Sequence, residues 1–485
     1  MSPFLNDNLK KITKERIECS SFITLTNIIK TKHITIKLMW LGCTLLSAAF
    51  CGWFMSRTIM DYLSYNVLTK TIIQYESKIM FPIVTICNLN IYTTKDIREF
   101  AIAHLYTDQP DFESFYGSKV FAFESVKSKL FDKYFISKKL DDIIINCKYG
   151  AQKCDLNKDF EAYYDINYGV CFRFNSGKSM NNTNVSQKYA YISGIENGLD
   201  LELYIGSAIQ NDNLYSIDNG FIIFITSESI DSNYVNDAIS IPTGYSIKIP
   251  IEQYSINKMP KPYSNCLANL NSIDSYDSEC FRKTINANNN ASTYHYKQCS
   301  SLCLQKYLGI VCKCQTAFAL TKYFDSMRMC FNDVNNYSLL ESDKHCFSQA
   351  NVDYFQQPNI LDECDCPKEC DDDYFLYSFS LADYPTRQYL YYLINNTLIR
   401  RKFNTTSFDS LNEQSVQTYH DLFKKNIARV QIYYKNIQKT VITEEARIHF
   451  VDLIANLGGT LSLFLGICFN YNINIILVNF NIFYR

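Results

Sequence analysis

Residues 38–56 read LMWLGCTLLSAAFCGWFMS, nineteen residues without a charge, with Lys37 immediately before them and Arg57 immediately after. At helical rise such a run spans roughly 28 Å, close to the hydrocarbon thickness of a bilayer. The only two tryptophans of the chain, Trp40 and Trp53, stand near its ends, where the amphipathic indole prefers the membrane interface. A signal peptide would lie nearer residue 1 and end in a small-residue cleavage site, so the run reads as a retained transmembrane helix. The 37 residues before it carry seven Lys/Arg against three Asp/Glu, which assigns segment 1–37 to the cytoplasm. A second uncharged run extends from Leu453 to Tyr484, and segment 448–484 reads as a second span. Two spans then place both termini inside a plasma membrane and residues 57–447 outside it.

Composition supports this topology. The full chain of 485 residues balances 47 Lys+Arg against 49 Asp+Glu, a net charge of −2, so no bulk positive charge is present for a nucleic-acid partner. Gly and Pro, 15 and 10 residues, are too few, and aromatic residues, at 15%, too many for a disordered chain. Of 19 cysteines, fifteen lie between residues 87 and 370, a density that persists as disulfides only in an oxidising compartment. Six N-x-S/T acceptors for glycosylation, Asn181, Asn184, Asn290, Asn336, Asn395 and Asn404, fall in the same stretch. No metal motif, phosphate loop or nucleophile with a paired base is visible, so neither enzymatic chemistry nor a cofactor is expected.

Between the spans, TTKDIREFAIAHLY (93–106) has helical spacing, and QCSSLCLQKYLG (298–309) reads as a helix with Cys299 and Cys303 on one face. Strand alternation appears in CFRFNS (171–176), LDLELYI (199–205), GFIIFIT (220–226) and YSIKIPI (245–251), and a longer helix is expected over 414–437. The pattern predicts a central sheet with peripheral helices, an α+β domain. From Cys299 the cysteines run C-x3-C-x8-C-x-C to Cys314, then Cys330 and Cys346, then C-x-C-x3-C at 364, 366 and 370. The first cluster is mirrored by the last, as in a nested ladder of bridges. Zinc is the alternative for such spacing, but C-x2-C pairs and partnered histidines are missing and the outside setting favours disulfides.

At this point the chain resembles the epithelial sodium channel/degenerin family, with its acid-sensing and peptide-gated relatives, from about residue 38 to 468. The resemblance rests on FPIVTICNLN (81–90), YGVCFRFNSG (168–177), IENGLDLELYIG (195–206), PYSNC (262–266), CDCPKECDDDYFLYSFSLADYP (364–385) and DLIANLGGTLSLFLG (452–466), in the family's order. It implies a subunit of a trimeric, amiloride-sensitive, sodium-selective channel, a homo- or heterotrimer with related subunits in a lipid bilayer. Each subunit would be a hand of palm, β-ball, finger, thumb (about 262–375) and knuckle on two membrane helices. The family's bridges map onto Cys87–Cys171, Cys147–Cys154, Cys299–Cys366, Cys303–Cys364, Cys312–Cys346 and Cys314–Cys330. Cys370 then pairs with Cys266, in the PYSNC loop signature, or alternatively with Cys280. The odd cysteine remains as a free thiol or an intersubunit bond.

The family's Gly-x-Ser selectivity triplet maps onto Gly466, Ile467 and Cys468, where Gly466 permits the extended backbone that a ring of carbonyls needs. Gly458, Gly459 and Gly466 would equally serve close helix packing. Ala455 matches the position at which a larger side chain opens family members constitutively, Asn456 replaces an acidic residue of the acid-sensing members, and Ser462 matches a residue of amiloride block. Tyr65 and Tyr263 match an aromatic pair through which thumb motion reaches the pore, with core packing as the rival role. Three departures stand out. The cytoplasmic His-Gly pair is replaced within CSSFITLTNII (19–29), and Cys468 stands where Ser is usual. After the triplet the chain reads FNYNINIILVNFNIFYR, without the family's acidic residue. That end reads as a divergent inner helix or, preferentially, as a faulty or truncated end. The alternatives to a conducting subunit are a non-conducting modulatory subunit and a membrane-tethered cysteine-rich receptor or adhesion module. Neither the gating stimulus nor an extracellular ligand is written in the residues.

Overall fold

The uncharged run at 38–56 becomes the middle of helix α1, Ile34–Leu63, in a computed structural model of the chain. That structure describes residues 32–89, 140–165, 168–205, 218–228, 238–267, 278–287, 294–315, 326–328, 330, 337–356, 364–397, 399–400 and 413–465. The other described α-helices are α2 Glu279–Ala287, α3 Tyr296–Cys312, α4 Tyr337–Gln356, α5 Arg387–Ile394, α6 Glu413–Lys424 and α7 Phe450–Leu465. The helical segment expected at 93–106 lies outside the described residues. Contacts divide the chain into two units, one of residues 1–70, 259–264 and 444–485, the other of 71–258 and 265–443.

In the first unit, α1 runs 30 residues because RTIMDYL after the apolar run holds no Gly or Pro to stop it. It ends at Ser64, with Tyr65 in the left-handed conformation at φ 51°. The hydroxyls of Thr44, Ser56 and Thr58 donate to carbonyls one turn back, at 3.0, 2.8 and 2.9 Å, which satisfies them without water. α1 is the one described helix long and apolar enough to cross a membrane; α7 is a shorter apolar helix of 16 residues, about 24 Å of helical rise. The continuation of the second expected span beyond Leu465 lies outside the described residues.

The second unit is built on two sheets. The larger uses β1 Val67–Tyr75, β4 Ile144–Tyr149, β5 Gln152–Lys153, β9 Leu199–Tyr204, β12 Tyr245–Asn257, β15 Asp371–Tyr377, β16 Ser380–Asp383 and β17 Ile427–Ala446. Its order is β15-β12-β17-β9-β4-β5, with β1 on β17 and β16 on β12. The smaller runs β11-β10-β3-β7-β6, from Ile239–Pro242, Gly220–Thr226, Ile83–Asn88, Gly169–Phe174 and Phe160–Asp165. Two short pairs, β2 Ile79–Met80 with β8 Tyr189–Ala190 and β13 Cys266–Leu267 with β14 Lys368–Glu369, complete the strands. Phe81, Phe174, Leu201, Phe221, Ile249 and Ile432 belong to one core cluster drawn from both sheets. Each such side chain, fully buried, contributes about 1.5–3 kcal/mol. Gly198 has the Ile432 carbonyl and Tyr433 where a Cβ would stand, so only glycine fits there.

The helix expected over 414–437 is corrected. α6 stops at Lys424, Asn426 turns the chain with its Nδ2 donating to the Leu422 carbonyl at 2.6 Å, and β17 begins at Ile427. IARVQIYY alternates around β-branched and aromatic residues, and pairing with β12 on one side and β9 on the other outweighs the local helical signal.

Candidate pore and gating site

In the first unit the buried and partly buried residues of α1 fall on one stripe, Trp40, Thr44, Ser47, Cys51, Met55, Thr58 and Tyr62, with Cys51 at 2% exposure. Between the aromatic ends, Thr44, Ser47, Cys51 and Thr58 are small, which lets a second helix come close there. The Ser47 hydroxyl donates to the Phe464 carbonyl of α7, and Phe54 stacks on Phe464 at 5.6 Å between centroids. On α7 the partly buried positions are Leu453, Leu457, Thr460, Leu461, Phe464 and Leu465, again one helical face. The opposite face carries Ala455, Gly459 and Ser462, all exposed, flanked by exposed Asn456 and Gly458 and bounded by exposed Val451 and Leu463. A Cβ added at Gly458 or Gly459 would meet nothing within 4 Å, so packing within the chain does not require either glycine. Gly466, Ile467 and Cys468 lie outside the described residues.

α7 starts at a half capping box: the Asp452 carboxylate accepts from the His449 backbone N–H at 3.1 Å, satisfying a donor at the positive end of the helix dipole. Sequence inspection missed it because the pattern carries His where Ser or Thr is usual. The turn after α1 meets the segment before α7 at 2.9 Å, Arg447 N–H donating to the Asn66 carbonyl, and Lys70 lies 3.8 Å from Glu445.

Tyr65 and Tyr263, nearly two hundred positions apart in sequence, are brought together. Their rings meet edge to face, 5.4 Å between centroids and 84° between planes. Tyr65 holds a backbone conformation that non-glycine residues reach at a cost of order 1–3 kcal/mol, a strain concentrated at functional positions. Tyr263 rides on the short segment 259–264, closed by its own N–H to the Pro260 carbonyl at 3.1 Å and by the Ser264 hydroxyl to the Met259 carbonyl. The Met259 N–H donates to Glu444 Oε2 at 3.0 Å, a contact that no local sequence signal announces.

In the second unit all fourteen cysteines named for bridges are bonded: 87–171, 147–154, 266–370, 299–366, 303–364, 312–346 and 314–330. Cys370 therefore takes Cys266, and Cys280 is a buried free thiol whose pKa burial pushes up. Asn181, Asn184 and Asn395 are exposed, whereas Asn290, Asn336 and Asn404 lie outside the described residues. Polar knots brace the sheets. Tyr384 and Tyr389 both donate to Glu202 Oε1, and Arg429 grips Asp200 at 3.0 and 2.6 Å. The two ring nitrogens of His295 face Glu369 at 3.5 Å and Glu228 at 3.7 Å. Burial raises the Glu369 pKa, but hydrogen bonds from His295, its own backbone and Tyr296 N–H outweigh it and hold the group below the usual range.

A long apolar helix, a shorter apolar helix and a disulfide-stapled α+β domain fit a membrane ion channel protein. The family model described as amiloride-sensitive sodium channel matches residues 17–470, and the chain belongs to that family of plasma-membrane channels. It is an ion-channel protein and not an enzyme, and its disulfide-rich domain is extracellular. Among relatives, the bile acid-sensitive ion channel of Homo sapiens is 23% identical over 98% of this chain and 87% of its own. The FMRFamide-activated amiloride-sensitive sodium channel of Cornu aspersum is 21% identical over 91% of this chain and 78% of its own. The degenerin-like protein asic-2 of Caenorhabditis elegans is 22% identical, covering 94% and 84%.

Proposed function

We propose that the chain is a subunit of a trimeric, amiloride-sensitive, sodium-selective channel. It would cross the membrane twice, at 38–56 and within 448–484, with both termini cytoplasmic and 57–447 outside. The observation that carries this reading is the exposed face of α7. Ala455, Gly459 and Ser462 lie opposite the face that packs on α1, and this small, weakly polar strip, between exposed Val451 and Leu463, suits a water-filled axis shared by three copies better than lipid. In this reading Gly466, Ile467 and Cys468 present the narrowing ring of carbonyls, Ser462 contacts amiloride, and Ala455 and Asn456 tune opening beside Gly458 and Gly459. Tyr65 and Tyr263 pass motion of the extracellular domain to the helices. Asn181, Asn184, Asn290, Asn336, Asn395 and Asn404 are its proposed glycan acceptors. Voltage clamp of oocytes expressing Ala455→Val tests the reading: a standing sodium current blocked by amiloride is expected. Surface protein without current, alone or mixed with related subunits, would refute it.

A second reading has its own support. The missing His-Gly pair and the carboxylate-free segment after Cys468 favour a modulatory subunit, silent alone but altering the current of a related partner. The similarity to bile acid- and FMRFamide-responsive channels favours a small extracellular ligand as the stimulus.

A further inference from the structure

Three stretches of chain converge in the first unit: the exit of α1 at Tyr65, the segment 259–264, and the strand end at 444–447 that feeds α7. Tyr263 reaches the first of these by its ring. The segment's backbone reaches the third where the β12–β17 ladder ends at Asn257 and Thr443: Glu444 Oε2 accepts the Met259 N–H at 3.0 Å. Glu444 is half-buried and lies six positions before Phe450, the first residue of α7. Its neighbour Glu445 is exposed and faces Lys70 instead.

We infer that Glu444 is a positioning residue whose carboxylate, by accepting the Met259 N–H, seats the Tyr263 segment against Tyr65 and ties that segment's movement to the start of the second helix. Inside the segment, the Ser264 and Tyr263 bonds close the turn on itself, so the bond to Glu444 acts on a preformed turn. A charged acceptor on a backbone donor is among the stronger neutral-to-ion hydrogen bonds, and its geometry fixes where Met259 sits. The consequence for gating rests on the channel reading; the placement of the segment does not.

The test uses the full-length chain on intact cells, with Tyr65→Cys and Tyr263→Cys joined by a short bifunctional methanethiosulfonate. The rate of cross-link formation is read by mass spectrometry of the linked peptides. Glu444→Ala is expected to slow cross-linking roughly tenfold or more, as loss of a charge-assisted bond implies. Glu444→Gln keeps an acceptor at the same reach and should restore the rate to within about threefold, which a merely electrostatic role would not do. Glu444→Met, of similar length but without the acceptor, should stay as slow as Ala, which excludes a role of bulk alone. Glu444→Asp, which keeps the charge but withdraws the acceptor, should slow it as Ala does and serves where the Ala variant does not reach the surface. Glu445→Ala should leave the rate unchanged. Equal rates in the parent and in Glu444→Ala or Glu444→Asp would overturn the inference, as would equal slowing by Gln and Ala. Cross-linking is blind to conduction, so slow linking in Glu444→Ala without current from any variant would sink the channel reading and leave the positioning role standing.

Discussion

Tyr65 concentrates the argument at the scale of single residues. It closes α1 in a left-handed conformation usually left to glycine, and its ring is held by Tyr263. If the pair carries gating energy, a double-mutant cycle of Tyr65→Ala and Tyr263→Ala should give a coupling of about 0.5–1.5 kcal/mol in the closed–open equilibrium of single channels. Additive single effects would assign both rings to ordinary packing. The pH response of the extracellular domain is also set residue by residue. Glu369 has a folded pKa below its ordinary value of 4.5, so its contribution to stability is fully present above that value. It is lost as pH falls through the folded pKa. Thermal melts of the solubilised chain should therefore show a decline in Tm with falling pH, beginning near 4.5, that Glu369→Gln flattens. An unchanged pH slope in that variant would remove Glu369 from the account.

Among elements, the long apolar helix α1 and the strands were legible because their signals are local. GFIIFIT occupies β10 from end to end, and LDLELYI differs from β9 by one residue. The helix drawn over 414–437 failed where long-range pairing decides, since β17 is a strand only because β12 and β9 flank it. The choice of Cys266 over Cys280 for Cys370 is likewise spatial: β13 and β14 lie side by side and bring Cys266 and Cys370 to 5.0 Å between Cα atoms. Removing that bridge, which closes a separation of 104 residues, with Cys266→Ser should cost about 2–5 kcal/mol, measured by denaturant unfolding. Cys280, at 3% exposure, should react with a thiol reagent only after unfolding; rapid labelling of the native protein would contradict its burial. At the other end, loss of the Asp452 cap in Asp452→Ala should cost about 1 kcal/mol locally, seen as several-fold faster hydrogen exchange at His449.

For the whole molecule, sequence order was enough to recognise a disulfide-rich membrane channel protein, because the long apolar run and the cysteines fall in separate parts of the chain. The contacts within the first unit were not legible: Glu444 reaches a backbone N–H, and almost any residue could have supplied that donor. The pore assignment reduces to which face of α7 meets water. Cysteines introduced at Ser462 and at Leu457, each in the Ala455→Val background, can be treated from outside with a cationic methanethiosulfonate while sodium current is recorded. The account expects rapid, irreversible loss of current for Ser462→Cys and no effect for Leu457→Cys, which faces α1. Modification of Leu457→Cys with Ser462→Cys untouched would place the small-residue face against lipid and contradict it.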